Sequence, residues 1–295
     1  MDLVTIAHFL NGFLMIGIPI VLGIYLVNKF NFSWKLWLIG GATFIISQVF
    51  HIPFNTYVLS PVIGSIQQGM PGVPGSLVTS LILGLSAGVF EECARYGMFR
   101  WWLGEKRSWR VAILAGAGHG GVEAIILGGV VLWAFINMVA LRNADLSKLN
   151  LAPDQLSIAQ QQIQAYWNVA WYNTLFGAVE RIFTIPFHIM ASVIVLQVFT
   201  RHLGKQRLGW LGLAIVLHTI MDASAVFIAG VWSVYAVEAV LGGLAVIDVI
   251  IIFALRQPEP EDSAPGEMHL PKKPPVFTPQ PVEETSENLE KTRYQ

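Results

Sequence analysis

The sequence predicts an all-α polytopic transmembrane bundle of about seven spans (six to eight), on three observations. Hydrophobic residues make up 54% of the 295 residues, charged residues only 13%, and mean hydropathy is +0.58, against about 25% charged in soluble domains. Seven stretches reach the roughly 20 apolar residues needed to cross a hydrocarbon core. Lysine and arginine crowd into alternate connections between them, as the positive-inside rule expects. A net charge of −1 offers no basic stripe for phosphates, so nucleic acid is excluded as a partner. The lone cysteine, Cys93, excludes an internal disulfide and a cysteine-rich zinc site.

The first stretch, 3–27, follows Met-Asp-Leu without a positive n-region and reads as a retained span. The others are 36–59, 76–99, 111–141, 168–200, 208–229 and 231–255. The fourth and fifth are overlong, so they should tilt, kink at Pro186 or extend past the lipid. Gly230 and its neighbours alone separate the last two, which calls for a tight hairpin. Lys29 and Lys35 mark the first connection, Arg100, Lys106, Arg107 and Arg110 the third, and Arg201, Lys205 and Arg207 the fifth. The expected topology therefore has the N-terminus outside and the segment after Arg256 in the cytoplasm. Trp101, Trp102, Trp109, Trp167, Trp171 and Trp210 fall near window ends, where interfacial aromatics belong. The polar stretch 143–166 suits a short amphipathic helix at the outer surface. Two domains are expected: the bundle, 1–256, and a cytoplasmic tail, 257–295. Eight prolines and eight carboxylates in the tail predict disorder.

Several windows carry groups that lipid does not tolerate alone. They are Glu91, Glu92 and Arg95; His119 and Glu123; Glu180, Arg181 and His188; and His218 and Asp222. One Lys, Arg or Asp at a helix centre costs roughly 2.5–3.5 kcal/mol on insertion scales, so such groups must meet one another. Measured from the cytoplasmic window ends, Glu92, His119, His218 and His188 lie about 10, 12, 15 and 18 Å deep, at 1.5 Å per residue. They share one layer. The i, i+4 spacing pairs Glu91 with Arg95, His119 with Glu123 and His218 with Asp222. Glu180 and Arg181, about 100° apart on the helix, should contact different neighbours. Glu238 and Asp248 have no evident partner type and read as structural or partly hydrated.

Three histidines at one depth with carboxylates alongside suit a metal or proton-transfer site. Imidazole and carboxylate suit zinc, which in catalytic sites takes three protein ligands and a water. The run HGGVE is not HExxH, so no soluble zincin is implied, and glycines 116, 118, 120 and 121 read as packing glycines. Cys93 in an apolar setting is an inert thiol.

In these residues the chain resembles the YhfC-like intramembrane metalloproteases, related to the CAAX prenyl endopeptidase and bacteriocin-processing (Abi) proteases and to the PrsW proteases. The resemblance rests on EECAR at 91–95, GHGGVE at 118–123, ER at 180–181 followed by His188, and HTIMD at 218–222. It implies an intramembrane endopeptidase in a prokaryotic cell membrane, acting on a membrane-embedded or lipidated peptide. Glu91, Glu92 and Asp222 are then the catalytic candidates, with Glu91 favoured as base. His119, His188, His218 and Glu123 are the candidate ligands of zinc. A metal-independent form, in which glutamate and histidine activate water directly, satisfies the same residues. The alternative function is a non-catalytic scaffold or a proton- or metal-coupled transporter, since intramembrane His and Glu also mark ion paths. Against a transporter stands the lack of an inverted repeat.

Overall fold

The computed structural model of the protein describes residues 2–259 apart from 105, 150–151 and 202–203. Regular structure among the described residues is helical throughout. Seven segments are long and apolar enough to cross a membrane. They are α1 (Leu3–Phe30), α2 (Trp34–Phe54) continued by α3 (Ser60–Gly69), α4 (Val73–Gly97), α5 (Trp109–Leu141), α7 (Phe176–Thr200), α8 (Gly209–Val231) and α9 (Val234–Ala254). The polar segment holds α6 (Pro153–Trp167), which has no buried residue. This is the architecture of a multi-pass membrane protein.

Local chemistry sets the helix ends. Asp2, Ser33 and Ser108 cap α1, α2 and α5, each accepting a backbone N–H of the first turn. Asn31 ends α1 in the left-handed region at φ 52°, where a short polar side chain is tolerated. Pro74 and Pro153 stand in first turns, where no N–H is needed.

Two expectations need correction. The second span does not stop at Leu59: a π-helical turn, Asn55–Leu59, follows Pro53, and the helix then resumes to Gly69. Proline opens the hydrogen-bond ladder there, and the wider turn takes up the slack. Ser60, Ser65, Gln67 and Gln68 lower the hydropathy without breaking the helix. The final hairpin is as tight as expected, but its turn is Trp232 and Ser233, just past Gly230.

Helix α7 runs through the middle. Every residue from Phe187 to Val198 is buried, as expected for a helix apolar on all sides. Around it stand α4, α5, α8, α9 and α1. Backbone meets backbone where α2 crosses α5, since a Cβ at Gly40 would run into Ala115 O and one at Gly118 into Trp37 O. On the outside, Phe13 and Val21 of α1, Val130 and Trp133 of α5, and Ile250 and Phe253 of α9 are exposed apolar groups for lipid to cover. Residues 257–259 lie against the bundle, with Gln257 Nε2 donating to Gln197 Oε1 at 2.8 Å and Arg110 N donating to Glu259 Oε1 at 3.0 Å. The rest of the expected disordered tail falls outside the described residues.

Candidate active site within the bundle

Glycines make room for the polar cluster. A Cβ at Gly116 would stand 2.8 Å from His188 O, and one at Gly120 2.7 Å from His188 Cδ2. These two glycines of α5 therefore let α7 approach and seat the His188 ring. Across the bundle, a Cβ at Gly88 of α4 would stand 2.8 Å from Ile215 O of α8, one turn from His218.

The adjacent glutamates have different surroundings. Glu92, with no exposed surface, receives Arg95 Nε at 2.9 Å on Oε2 and lies 2.8 Å from His218 Nδ1 through Oε1. Arg95, equally buried, spends its other nitrogens on Ser192 Oγ at 2.8 Å and on His188 O and Nδ1 at 3.4 Å. Arg95 thus pairs with Glu92 at i−3 and not, as the spacing suggested, with Glu91 at i−4. Glu91 faces α2 and α5 instead. Its Oε2 lies 3.1 Å from His119 Nε2 and 3.7 Å from His218 Nε2, while Oε1 accepts from Gln48 Nε2 at 2.9 Å.

Gln48 ends a directed chain of hydrogen bonds. Ser86 Oγ donates to Asn55 Oδ1 (2.8 Å), and Asn55 Nδ2, able only to donate, gives its proton to His51 Nε2 (2.9 Å). His51 must then carry its proton on Nδ1, which donates to Gln48 Oε1 (3.2 Å). Every link donates towards Glu91.

The i, i+4 pairing of His119 with Glu123 also gives way to contacts across helices. Glu123 Oε2 lies 2.7 Å from His188 Nε2, and its Oε1 accepts from Arg181 Nη1 at 2.8 Å. Arg181 also bonds its neighbour Glu180, against the expectation of separate partners. Two long side chains can curl towards each other from backbone positions that diverge. His218 Nε2 lies 3.5 Å from Asp222 Oδ2. Cys93 is exposed, away from the cluster. Glu238 Oε2 and Asp248 Oδ2 are buried without a hydrogen-bond partner among the described residues.

Donor atoms of Glu91, His119 and His188 come within 4.8 Å of one another. A tetrahedral zinc with bonds of about 2.0–2.1 Å spaces its ligand atoms about 3.3–3.5 Å apart, so the three would fit on drawing together by up to about 1.4 Å, with His188 releasing one nitrogen from Glu123 or Arg95. His119 Nδ1 is buried without a hydrogen-bond partner among the described residues, a second sign of spare ligand capacity. His218 and Glu123 flank this set with their polar atoms turned to Glu92, Asp222, Arg181 and His188. Beside the cluster lies a cavity of about 90 Å³, lined by Glu91, Glu123, His188, His218 and Asp222 among others. At about 30 Å³ per water in the liquid, it has room for a few.

Gln48, His51 and Asn55 were not among the residues singled out from sequence. Their spacing of three and four along an apolar window was the available signal, because it places them on one helix face. Ser192 gave no such signal, as serine is ordinary in membrane helices.

The family model described as YhfC intramembrane metalloprotease matches residues 14–242, a range that contains every residue of the cluster. The "Uncharacterized membrane protein YhfC" of Bacillus subtilis (strain 168) is 28% identical over 228 residues, covering 74% of this chain and 82% of that protein. No solved structure matches. With the model spanning the bundle from α1 into α9, the chain belongs to the YhfC intramembrane metalloprotease family.

Proposed function

We propose that the protein is an intramembrane endopeptidase that hydrolyses a peptide bond of a membrane-embedded or lipidated substrate, with water activated by Glu91. The observation that carries this reading is the setting of Glu91. One oxygen is held by Gln48, while the other is presented to His119 and His218 at the edge of a water-sized cavity.

Each group then has a task. Glu91 takes a proton from a water in the cavity as that water attacks the carbonyl carbon, and passes the proton to the amine nitrogen as the C–N bond breaks; general acid–base help of this kind is worth about 10²–10⁴ in rate. His218 acts as the imidazolium, with Nδ1–H on Glu92 and Nε2–H facing Asp222, and donates the latter to the oxyanion as it forms. Glu92 and Arg95 form a charge-balanced anchor fixing α4 to α7 and α8. Glu123 steadies His188 as an outer carboxylate does a ligand histidine.

The convergence of Glu91, His119 and His188 supports a second form of the same reaction, with these three holding a zinc ion. When bound, such a metal supplies a Lewis acid beside the cavity. Asp222 then becomes the carboxylate free to handle the water's proton.

The Glu91→Gln variant tests the proposal when membranes from cells making it are compared with wild type for new protein N-termini. Cleavage should fall by about a hundredfold or more, with expression unchanged. Metal content of the same purified variant separates the two forms: loss of one equivalent indicates the metal form, no change the direct one. Wild-type cleavage by Glu91→Gln would remove Glu91 from the base role, and no new N-termini from the wild-type chain itself would return it to the scaffold or transporter reading.

A further inference from the structure

A second cavity, of about 620 Å³, lies among α1, α5, α7 and α9. Its wall includes Ile18 and Leu22 of α1, Ile185 and Ile189 of α7, and Ile252 of α9. Along α1 it runs from Ile18 to Phe30, about 18 Å at 1.5 Å per residue, the length of an extended acyl chain. Tyr25, Ile182 and Phe253 line it and are exposed, so the groove opens sideways towards lipid.

The two ends differ. At the inner end Arg181 is already committed to Glu123 and Glu180. At the other end stand Lys29, Arg110 and Arg256, brought together because α1 ends, α5 begins and α9 ends at the same face of the bundle. Lys29 Nζ meets the Tyr25 hydroxyl at 2.7 Å, and the Arg256 guanidinium lies 5.2 Å from the centre of the Trp109 ring. Neither has a carboxylate at ion-pair distance among the described residues. Arg110 has Glu259 at 3.8 Å. Among the described residues, three cations against one carboxylate leave the rim with a net positive charge.

We propose that this groove is a binding site for an anionic membrane phospholipid, one acyl chain lying against the aliphatic wall and the phosphate resting on Lys29 and Arg256. Basic pockets between helices at one membrane face are suited to acidic headgroups. A peptide fits this wall poorly. Its backbone N–H and C=O groups would need partners along the wall, but the Trp109 indole N–H is spent on Ile252 O, and the Tyr25 hydroxyl stands at the rim, where it accepts from Lys29. A zwitterionic lipid brings its own cation to the rim and loses the advantage.

Native mass spectrometry of the full chain, released from vesicles of mixed phosphatidylglycerol and phosphatidylcholine with identical acyl chains, tests the assignment. Wild type should retain one phosphatidylglycerol in preference to phosphatidylcholine. The double variant Lys29→Gln/Arg256→Gln changes two exposed side chains and should lower that retention about tenfold or more. Ile18→Trp, filling the groove from its half-buried wall, should reduce retention of both lipids. Equal retention of the two lipids by wild type overturns the proposal, as does wild-type selectivity in the double variant. Displacement of phosphatidylglycerol by soluble glycerol phosphate overturns it too, since the chain would then contribute nothing. No cleavage enters these measurements, so their outcome is independent of the protease reading.

Discussion

Glu91 and Glu92 are neighbours in sequence, yet their surroundings suit them to different tasks. Glu92 is locked into an ion pair with Arg95, both without exposed surface, so removing one partner strands a buried charge. Arg95→Met should therefore cost about 3–5 kcal/mol of stability, seen as a lower unfolding temperature in detergent. Glu91→Gln should leave that temperature near wild type. Gln48 offers a finer test, because it spends an N–H on the Glu91 oxygen turned away from the histidines. A hydrogen bond to a charged group is worth about 1.5–3 kcal/mol. Gln48→Leu should then lower kcat by about ten- to 150-fold on that scale, with KM and yield unchanged. A fall in KM-controlled binding alone would remove Gln48 from the positioning role. The polar layer was legible because charges and histidines in apolar windows have no cheap place in lipid. The individual pairings were not, since spacing states which residues share a face while rotamers and neighbouring helices decide which atoms meet. Arg95 choosing Glu92, and Glu123 choosing His188 and Arg181, are decisions of that kind.

Helices here are held by close backbone contact as much as by polar ties, and both can be challenged. Gly118→Ala places a methyl against Trp37 O, whereas Gly129→Ala meets nothing within 4 Å. The first should destabilise by about 1–3 kcal/mol, the usual range for overpacking, and the second should have little effect on thermal stability in detergent. At the opposite end from the basic rim, Arg142 of the α5 terminus donates to Asp2 Oδ2 at 2.6 Å and to Thr5 Oγ1 at 3.1 Å. Hydrogen bonds from Thr5, first through its side chain and then its backbone, hold the Asp2 carboxyl below the ordinary range, and Arg142 adds to them. A depressed folded-state pKa gives a tie present above the usual carboxylate value and lost only as pH falls below it. Amide exchange at residues 2–6 should accordingly keep its protection, after correction for intrinsic rates, from pH 7 to about 5. Asp2→Asn should reduce that protection across the whole interval. Protection unchanged in this variant would show that the carboxylate does not hold the helix end. Seven spans were readable from apolar length, whereas the π turn after Pro53 was not, since proline signals a disturbance but not its form.

Across the molecule, antiparallel alternation sorts the connections into two ends of opposite character. At one end cations reach across connections: Arg107 lies over Phe199, Arg110 over Phe30, Arg201 over Trp210 and Arg256 over Trp109. At the other end stand the Asp2–Arg142 pair, the stacked His8 and Tyr166 rings, and the Tyr235–Asn173 hydrogen bond. Lysine and arginine flanking spans are retained in the cytoplasm, so the basic end is expected to face inward. The predicted topology has α1 entering from outside and α9 leaving into the cytoplasm. A cytosol-active reporter fused after Arg256 should give signal, and one active only outside should not. Fusions in the connection near Arg142, with α1 to α5 retained, should give the reverse. The site depends on this result through geometry. His188 lies at the middle of α7, but His119 lies about 15 Å from the Trp109 start of α5 against about 33 Å from its Leu141 end, and Glu92 about 10 Å from the end of its apolar window, at 1.5 Å per residue, which places the cluster nearer the basic end. An inward basic end thus gives cytoplasmic segments of a membrane substrate the shorter path to Glu91. A reversed reporter pattern would give that path to external segments, and would require the basic groove rim to meet lipid of the outer leaflet.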